Sequence, residues 1–91
     1  MNESKELSPH HIKNRLWAAR KAVNLSQKQV AQLLGHGSAS QISRWEKGKR
    51  LPNTKDLLRL SAIYHRLAND LLWELFEELR EEIVNRKKQL K

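Results

Sequence analysis

Polar side chains that can form hydrogen bonds and ion pairs recur on one side of a short predicted helix. Ile42 and Trp45, three residues apart, mark the buried side of that helix. Its opposite side carries Ser40, Ser43, Arg44 and Lys47. An enzyme would need a nucleophile with a base, or a pair of carboxylates, at a defined spacing, and neither is visible. These residues therefore predict binding rather than catalysis.

The charge of the chain is unevenly distributed. Lys and Arg number 18 against 10 Asp and Glu, which gives a net charge of +8. Residues 1–66 hold thirteen basic and four acidic residues, whereas residues 67–91 hold five and six. A basic excess of this size indicates a polyanionic partner. We expect that partner to meet the first two-thirds of the chain, leaving the last third to protein or water.

The composition excludes several other kinds of site. There is no Cys, so neither a disulfide nor a thiolate metal site can form. The adjacent His10 and His11 would face different ways in a helix, and no metal-binding spacing is present, so we expect no metal and no cofactor. No apolar run reaches the ~20 residues that a membrane span needs. A single cytoplasmic domain without a membrane segment is the expectation for these 91 residues.

The sequence predicts a series of helices. Capping residues mark the start and the end of the first two. Ser8-Pro9 is a start signal for the first helix, which we expect to end near Asn24. Ser26 and Gln29 can form a capping box that opens the second helix, and Gly35 supplies its end. No alternating strand pattern is present, so the sequence predicts an all-α domain.

Three more helices follow in the same way. The capping-box pattern recurs from Ser38 to Gln41 and opens the third helix, which Gly48 ends. Asn53 or Thr54 caps the fourth helix. After it the pattern stays helical as far as Leu90. The polar face formed by Ser40, Ser43, Arg44 and Lys47 thus lies on the third of five predicted helices.

The order of these residues resembles the helix-turn-helix motif of the Cro and phage-repressor (XRE-like) family. The resemblance covers roughly residues 8–73 and rests on Leu25-Ser26-Gln27, Ala31, Leu34-Gly35, the run from Ile42 to Gly48, and Pro52. It implies an all-α, five-helix lambda-repressor-like DNA-binding domain with an extended C-terminal helix. In such a motif the second helix braces the third, which enters the major groove of DNA.

The resemblance also implies roles for individual residues. The base-reading positions correspond to Ala39, Ser40, Ser43 and Arg44. Arg44 can bind O6 and N7 of one guanine together, whereas serine discriminates weakly between bases. Contacts to DNA phosphates are expected from Gln27, Ser38, Lys47, Lys49 and Arg50. Arg20 and Glu46 match a partly buried salt bridge that ties the third helix to the scaffold.

The chain departs from the family pattern in two places. The turn Gly35-His36-Gly37-Ser38 is one residue longer than usual. We expect Gly37 to accommodate the extra residue and His36 to reach the DNA backbone. The link at residues 65–67 lacks the usual glycine and polar cap, which predicts a tight or nearly continuous connection between the fourth and fifth helices.

Large apolar residues recur along the predicted last helix, which we expect to be continuous over residues 68–90. They are Leu72, Phe76, Leu79, Ile83 and Leu90, a heptad stripe broken once by Arg86. An exposed stripe of this kind needs a cover, and a second copy of the helix would supply it. The alternative is that the helix folds back and completes the core of its own chain.

The sequence therefore predicts three segments and one principal function. Residues 1–7 are expected to be flexible, 8–66 to form the DNA-binding core, and 67–91 to form the dimerising helix. The function predicted is that of a transcriptional regulator, a repressor, which reads a palindromic site in double-stranded DNA as a homodimer. RNA binding is disfavoured because five aromatic residues, Trp45 among them in the core, leave few stacking platforms. An antitoxin that binds a toxin protein and represses its own operon remains the alternative.

Overall fold

The computed structural model describes residues 11–90, which contain six α-helices and no strand. The helices are α1 (Leu16–Ala22), α2 (Gln27–Leu34), α3 (Ser40–Glu46), α4 (Thr54–Tyr64), α5 (Ala68–Leu71) and α6 (Trp73–Lys87). The all-α prediction is confirmed. The number of helices differs from the expected five because the last predicted helix is divided.

The first helix begins later than its start signal indicated. Ser8-Pro9 lies outside the described residues, but residues 11–14 are not helical, and α1 starts at Leu16. The amide of Ile12 donates to the carbonyl of Gly48 over 2.7 Å instead of entering a helix. The Asn14 side chain then accepts from the amide of Leu16 at 3.0 Å, one residue before Arg15, the N-terminal cap residue of α1. Residues 11–14, called the strap below, thus lie against the C-terminal end of α3.

Most of the predicted helix ends have the expected backbone geometry. Asn24, Gly35 and Gly48 have φ values of 60°, 77° and 76°, in the left-handed region that ends helices. His65 also has a positive φ, 56°, and it ends α4. Of the two expectations for the link between the fourth and fifth helices, the tight connection agrees with the three residues 65–67 that separate α4 from α5. The nearly continuous helix does not, because the left-handed His65 turns the chain there.

The two predicted capping boxes have different outcomes. At α2 the box is present: Ser26 accepts from the amide of Gln29 at 3.0 Å, and the Gln29 side chain accepts from the amide of Ser26 at 2.9 Å. At α3 the box predicted at Ser38 is absent, because Ala39 is the N-terminal cap. The Ser38 hydroxyl instead contacts the hydroxyl of Ser40 at 3.1 Å.

One apolar core joins the helices. Its buried members come from α1 to α5 and are Leu16, Ala19, Val30, Ala31, Leu34, Ile42, Trp45, Leu60, Tyr64 and Leu71. Ile42 and Trp45 fix α3 to this core, with 1% and 5% of their surfaces exposed. Burying side chains of this size contributes about 1.5–3 kcal/mol each. The buried side of α3 is therefore held firmly while its opposite side stays in solvent.

Because Tyr64 is buried in this core, the stability of the folded protein depends on pH in the alkaline range. Burial, reinforced by the negative charge of Glu46, raises the pKa of the Tyr64 phenol to about 12 from its ordinary 10.0. The folded protein thus holds this proton more tightly than the unfolded chain does. The resulting stabilisation is complete below pH 10 and is lost as the pH rises towards 12, by about 1–3 kcal/mol in total.

We therefore expect the variant Tyr64→Phe to lose less stability than the wild type between pH 8 and pH 11. Urea unfolding followed by circular dichroism at the two pH values measures this difference, and the two proteins differ only in the phenol hydroxyl. Equal alkaline losses in the two proteins would contradict the assignment to Tyr64.

The chain bends between α5 and α6, at Leu72, where φ is −117° and ψ is 43°. The carbonyl of Leu71 accepts from the amide of Arg15 at 2.9 Å, so it is withheld from the hydrogen bond that would continue the helix. The bend also lets two adjacent residues, Leu71 and Leu72, both be buried. The helix predicted to be continuous over residues 68–90 is therefore divided into α5 and α6, and the chain stays buried as far as Leu72.

Beyond the bend, α6 projects from the body and buries none of its residues. Leu72, assigned to the apolar stripe from the sequence, is buried instead, with 9% of its surface exposed. The rest of the stripe is exposed to solvent, at Phe76, Leu79, Ile83 and Leu90. The fold-back alternative thus applies to the start of the segment only.

Candidate nucleic-acid interface

The outer side of α3 forms the floor of an open groove of about 490 Å³. All four predicted base-reading residues line it together with three of the predicted phosphate contacts. The lining is Gln27, Ala39, Ser40, Ser43, Arg44, Lys47 and Lys49. Arg44, Lys47 and Lys49 are exposed, so their cationic groups are available to an anionic partner. The groove is therefore a positively charged surface along the exposed side of α3.

Two other predicted phosphate contacts lie apart from this lining. Ser38 sits just before α3, where its hydroxyl also accepts from the amide of Ser40 at 3.3 Å. Arg50 lines a different cavity, of about 290 Å³, with Trp45 and Asp56. The groove is thus lined by seven of the nine residues that were predicted to contact DNA. Arg50 lies beyond the end of α3.

A second groove, of about 640 Å³, lies beside the start of α2 and shares Gln27 and Ala39 with the first. It adds the exposed lysines Lys21 and Lys28, which the sequence analysis did not select. The N-terminus of α2 contributes a further partial positive charge there. Lys28 could have been found from its place in the first turn of α2, whereas the position of Lys21 depends on how α1 packs in the folded chain.

Arg20 and Glu46 form a buried ion pair beneath the groove. Arg20 Nε donates to Glu46 Oε2 at 2.6 Å, and Nη2 donates to Oε1 at 3.1 Å. Their side chains are 9% and 5% exposed. The hydrogen bond to Glu46 raises the pKa of Arg20, although burial opposes the shift. The pair is bidentate, so it joins α1 firmly to the last residue of α3.

Two further contacts surround this pair. Arg20 Nη1 donates to the carbonyl of Leu25 at 2.9 Å, and Gln27 Nε2 donates to Glu46 Oε1 at 2.9 Å. Gln27 therefore connects the start of α2 to the end of α3 while its side chain still lines the groove. One network thus links α1, α2 and α3 below the exposed surface.

The strap holds the C-terminal end of α3. Asn14 Nδ2 donates to the carbonyl of Trp45 at 2.9 Å, and the strap lies so close to Gly48 that a Cβ there would be 2.3 Å from the carbonyl oxygen of Ile12. Only glycine fits at this position. Asn14 was missed by sequence reasoning, because its partner is 31 residues away and no local pattern marks it.

His36, in the turn before α3, points inward rather than towards the groove. Its Nε2 lies 3.1 Å from Asp56 Oδ2, and its ring packs edge-on against Trp45 with 5.8 Å between centroids. This position does not favour the predicted contact of His36 with the DNA backbone, since Nε2 is paired with a buried carboxylate. Gly35, not Gly37, takes the left-handed conformation in this turn.

Two negative findings apply to residues 11–90. No group of His, Asp and Glu in this part of the chain is arranged to hold a metal ion. None of its helices combines the length and the apolar character that crossing a membrane requires.

Comparison with known proteins agrees with this geometry. A helix-turn-helix family profile matches residues 18–66, more than half of the chain. No curated protein and no solved structure matches the chain significantly. The matched segment runs from within α1 to just after α4 and so includes the whole groove. The chain therefore belongs to the XRE-type helix-turn-helix family of DNA-binding transcription regulators.

Proposed function

We propose that the protein is a repressor that binds double-stranded DNA sequence-specifically by inserting α3 into the major groove. The observation that carries this proposal is the grouping of Ala39, Ser40, Ser43 and Arg44 with three phosphate-contact residues along one exposed groove. An α-helix fits the major groove, where each base pair presents a distinct pattern of donors and acceptors. The buried pair below α3 supports the proposal by holding the helix in one orientation.

Within this surface the residues divide into two roles. Arg44 is the principal base reader, because its guanidinium can donate two hydrogen bonds to a guanine. Ser40 and Ser43 add weaker base contacts. The phosphate contacts come from Lys47, Lys49 and Gln27, joined by Lys21 and Lys28 from the second groove. Charges of this kind position the protein on any sequence without selecting one.

The test is to select bound sites from a random duplex library and then measure variants on the selected site and on random DNA. We expect Arg44→Ala to reduce discrimination at one base pair by about 1–3 kcal/mol. Lys49→Ala is the matched control, which should weaken binding to both duplexes alike. If Arg44→Ala weakened both duplexes equally, Arg44 would be a phosphate contact rather than a base reader.

Salt dependence tests the phosphate contacts separately. If about six phosphates are neutralised, the logarithm of the binding constant should fall with the logarithm of salt concentration with a slope of about −5. Fluorescence anisotropy with a labelled duplex measures this slope. A flat response would contradict binding through the charged groove.

The exposed face of α6 supports a homodimer as the DNA-binding form. Phe76, Leu79 and Ile83 are each more than a third exposed, and their spacing is that of a heptad seam. If two α6 helices paired in parallel along this seam, Glu82 of one chain would flank Lys87 of the other. Pairing would also place two recognition helices on a palindromic site, about 34 Å apart.

The variant Leu79→Glu is expected to convert the dimer to a monomer, because it places a charge at the centre of the seam. Light scattering at tens of micromolar protein measures the mass of each form. Leu58→Glu is the control: Leu58 is exposed on α4, away from the seam, so this variant should stay dimeric. A monomeric wild type would contradict the homodimer and direct attention to a different protein partner, such as the toxin of an antitoxin pair.

A further inference from the structure

The junction between the body and α6 is built around one arginine. Leu71 and Leu72 anchor the chain before the bend, but α6 itself buries no residue after it. The direction of a projecting helix is then set by whatever spans the junction. Arg15, at the start of α1, is placed to do this, because its backbone amide already donates to Leu71.

The Arg15 side chain contacts residues on both sides of the bend. Nη1 donates to Asp70 Oδ1 at 3.2 Å, on the body side. Nη2 lies 3.8 Å from Glu74 Oε2, on the α6 side. The guanidinium carbon is also 5.9 Å from the centre of the Trp73 ring. One planar group therefore meets an acid before the bend and both an acid and an aromatic ring after it.

Asp70 is held from a second direction as well. Arg66, between α4 and α5, donates from Nε to Asp70 Oδ2. Hydrogen bonds from Arg66 and Arg15 lower the pKa of Asp70, so this carboxylate stays charged in neutral solution. Asp70 thus gives Arg15 a fixed anchor on the body.

We propose that Arg15 is a positioning residue that sets the angle at which α6 leaves the DNA-binding body. The proposal rests on the proposed function in one respect: if α6 dimerises, this angle determines the distance between the two recognition helices and hence the half-site spacing that the protein accepts. A single exposed ion pair contributes little to stability. A planar guanidinium with three partners in different directions nevertheless restricts orientation, which a lysine ammonium cannot do in the same way.

The angle can be measured without DNA. The chain has no Cys, so the double variant Gln32→Cys/Glu81→Cys carries spin labels only at exposed sites on α2 and α6. Pulsed electron spin resonance gives the distribution of distances between the labels. Mixing with an excess of unlabelled protein restricts the signal to pairs within one chain.

We expect a narrow distance distribution in the parent and one at least twice as broad when Arg15→Ala is added. Arg80→Ala is the matched control, because Arg80 pairs with Glu77 on α6 itself and does not touch the junction. It should leave the distribution unchanged. If the distance distribution of Arg15→Ala had the same mean and the same width as that of the parent, the proposal would be overturned.

The consequence for DNA is measured on duplexes that carry two inverted copies of the selected half-site at spacings varied one base pair at a time. The wild type should prefer one spacing at least tenfold, whereas Arg15→Ala should accept neighbouring spacings within about threefold. Binding to a single half-site should be unchanged, which a general loss of structure would not allow. A spacing preference as sharp in Arg15→Ala as in the wild type would count against the proposal.

The proposed function and the proposed role of Arg15 can be contradicted independently of each other. If the random-library selection yields no motif, or the mass is that of a monomer, the proposed function is contradicted. The label distances are still obtained from the protein alone, so they decide the role of Arg15 in either case.

Discussion

Replacing Gly48 with alanine is expected to destabilise the protein by roughly 2–5 kcal/mol. A non-glycine residue at φ 76° costs about 1–2 kcal/mol by itself. In addition, the new Cβ would lie 2.3 Å from the oxygen and 2.7 Å from the nitrogen of Ile12, both backbone atoms. The strap must then move away, and its hydrogen bonds to Gly48 and Trp45 are lost.

Gly35→Ala is the matched control for this prediction. Gly35 has nearly the same φ, 77°, but no atom lies within 4 Å of the position that its Cβ would take. Its cost should therefore be only the conformational 1–2 kcal/mol. Thermal unfolding followed by circular dichroism measures both variants, and each kcal/mol corresponds to about 4–8 °C in a domain of this size. Equal losses in the two variants would show that the strap does not constrain Gly48.

The second large effect is expected at the buried ion pair. Arg20→Ala leaves Glu46 charged and buried with the Gln27 amide as a remaining donor, and Glu46→Ala leaves Arg20 bonded to the Leu25 carbonyl. Removing one partner of a buried pair costs about 3–5 kcal/mol. The double variant should lose less than the sum of the two single losses, by about 1–3 kcal/mol, because neither charge is then left unpaired.

A double-mutant cycle in urea unfolding measures this coupling. The Glu77 and Arg80 pair on α6 is the control, since it is exposed and separated by three residues in one helix. Alanine there should leave the urea midpoint unchanged. Strict additivity at Arg20 and Glu46 would contradict the interaction. Glu46 is the last residue of α3, so loss of the pair should also disturb the orientation of that helix. The single variants should therefore lose more DNA affinity than a variant that is equally destabilised by a substitution away from α3.

Local chemistry made much of the fold predictable from the sequence. The capping box at Ser26 and the stops at Asn24 and Gly35 depend on residues within one turn of each other, and they are found where expected. The two sides of α3 were also predictable, because helical periodicity alone separates Ile42 and Trp45 from the exposed face.

Three departures from the sequence prediction share a physical cause. The late start of α1 depends on the contact between Ile12 and Gly48, and the bend at Leu72 depends on the amide of Arg15. The inward position of His36 depends on Asp56, twenty residues further on. Each of these partners is distant in sequence, so no local pattern could reveal it.

The residues that line the candidate site were predictable from the sequence, but the contacts that hold α3 in place were not. Resemblance selected the residues of the groove, and periodicity placed most of them on one face. The strap and its Asn14 contact, which hold the end of α3, could be found only from the folded chain. Lys21 likewise joins the surface only through the packing of α1.

The absence of buried residues from α6 gives this molecule two levels of stability. The hydrogen bonds of the buried helices are expected to open mainly when the common core is disrupted, so their protection from hydrogen exchange approaches the global free energy of unfolding. A helix of 15 residues held mainly by its own hydrogen bonds is marginal in water. The amides of α6 therefore exchange through local fraying that leaves the core intact, and any partner that covers its apolar face slows that exchange without changing the body.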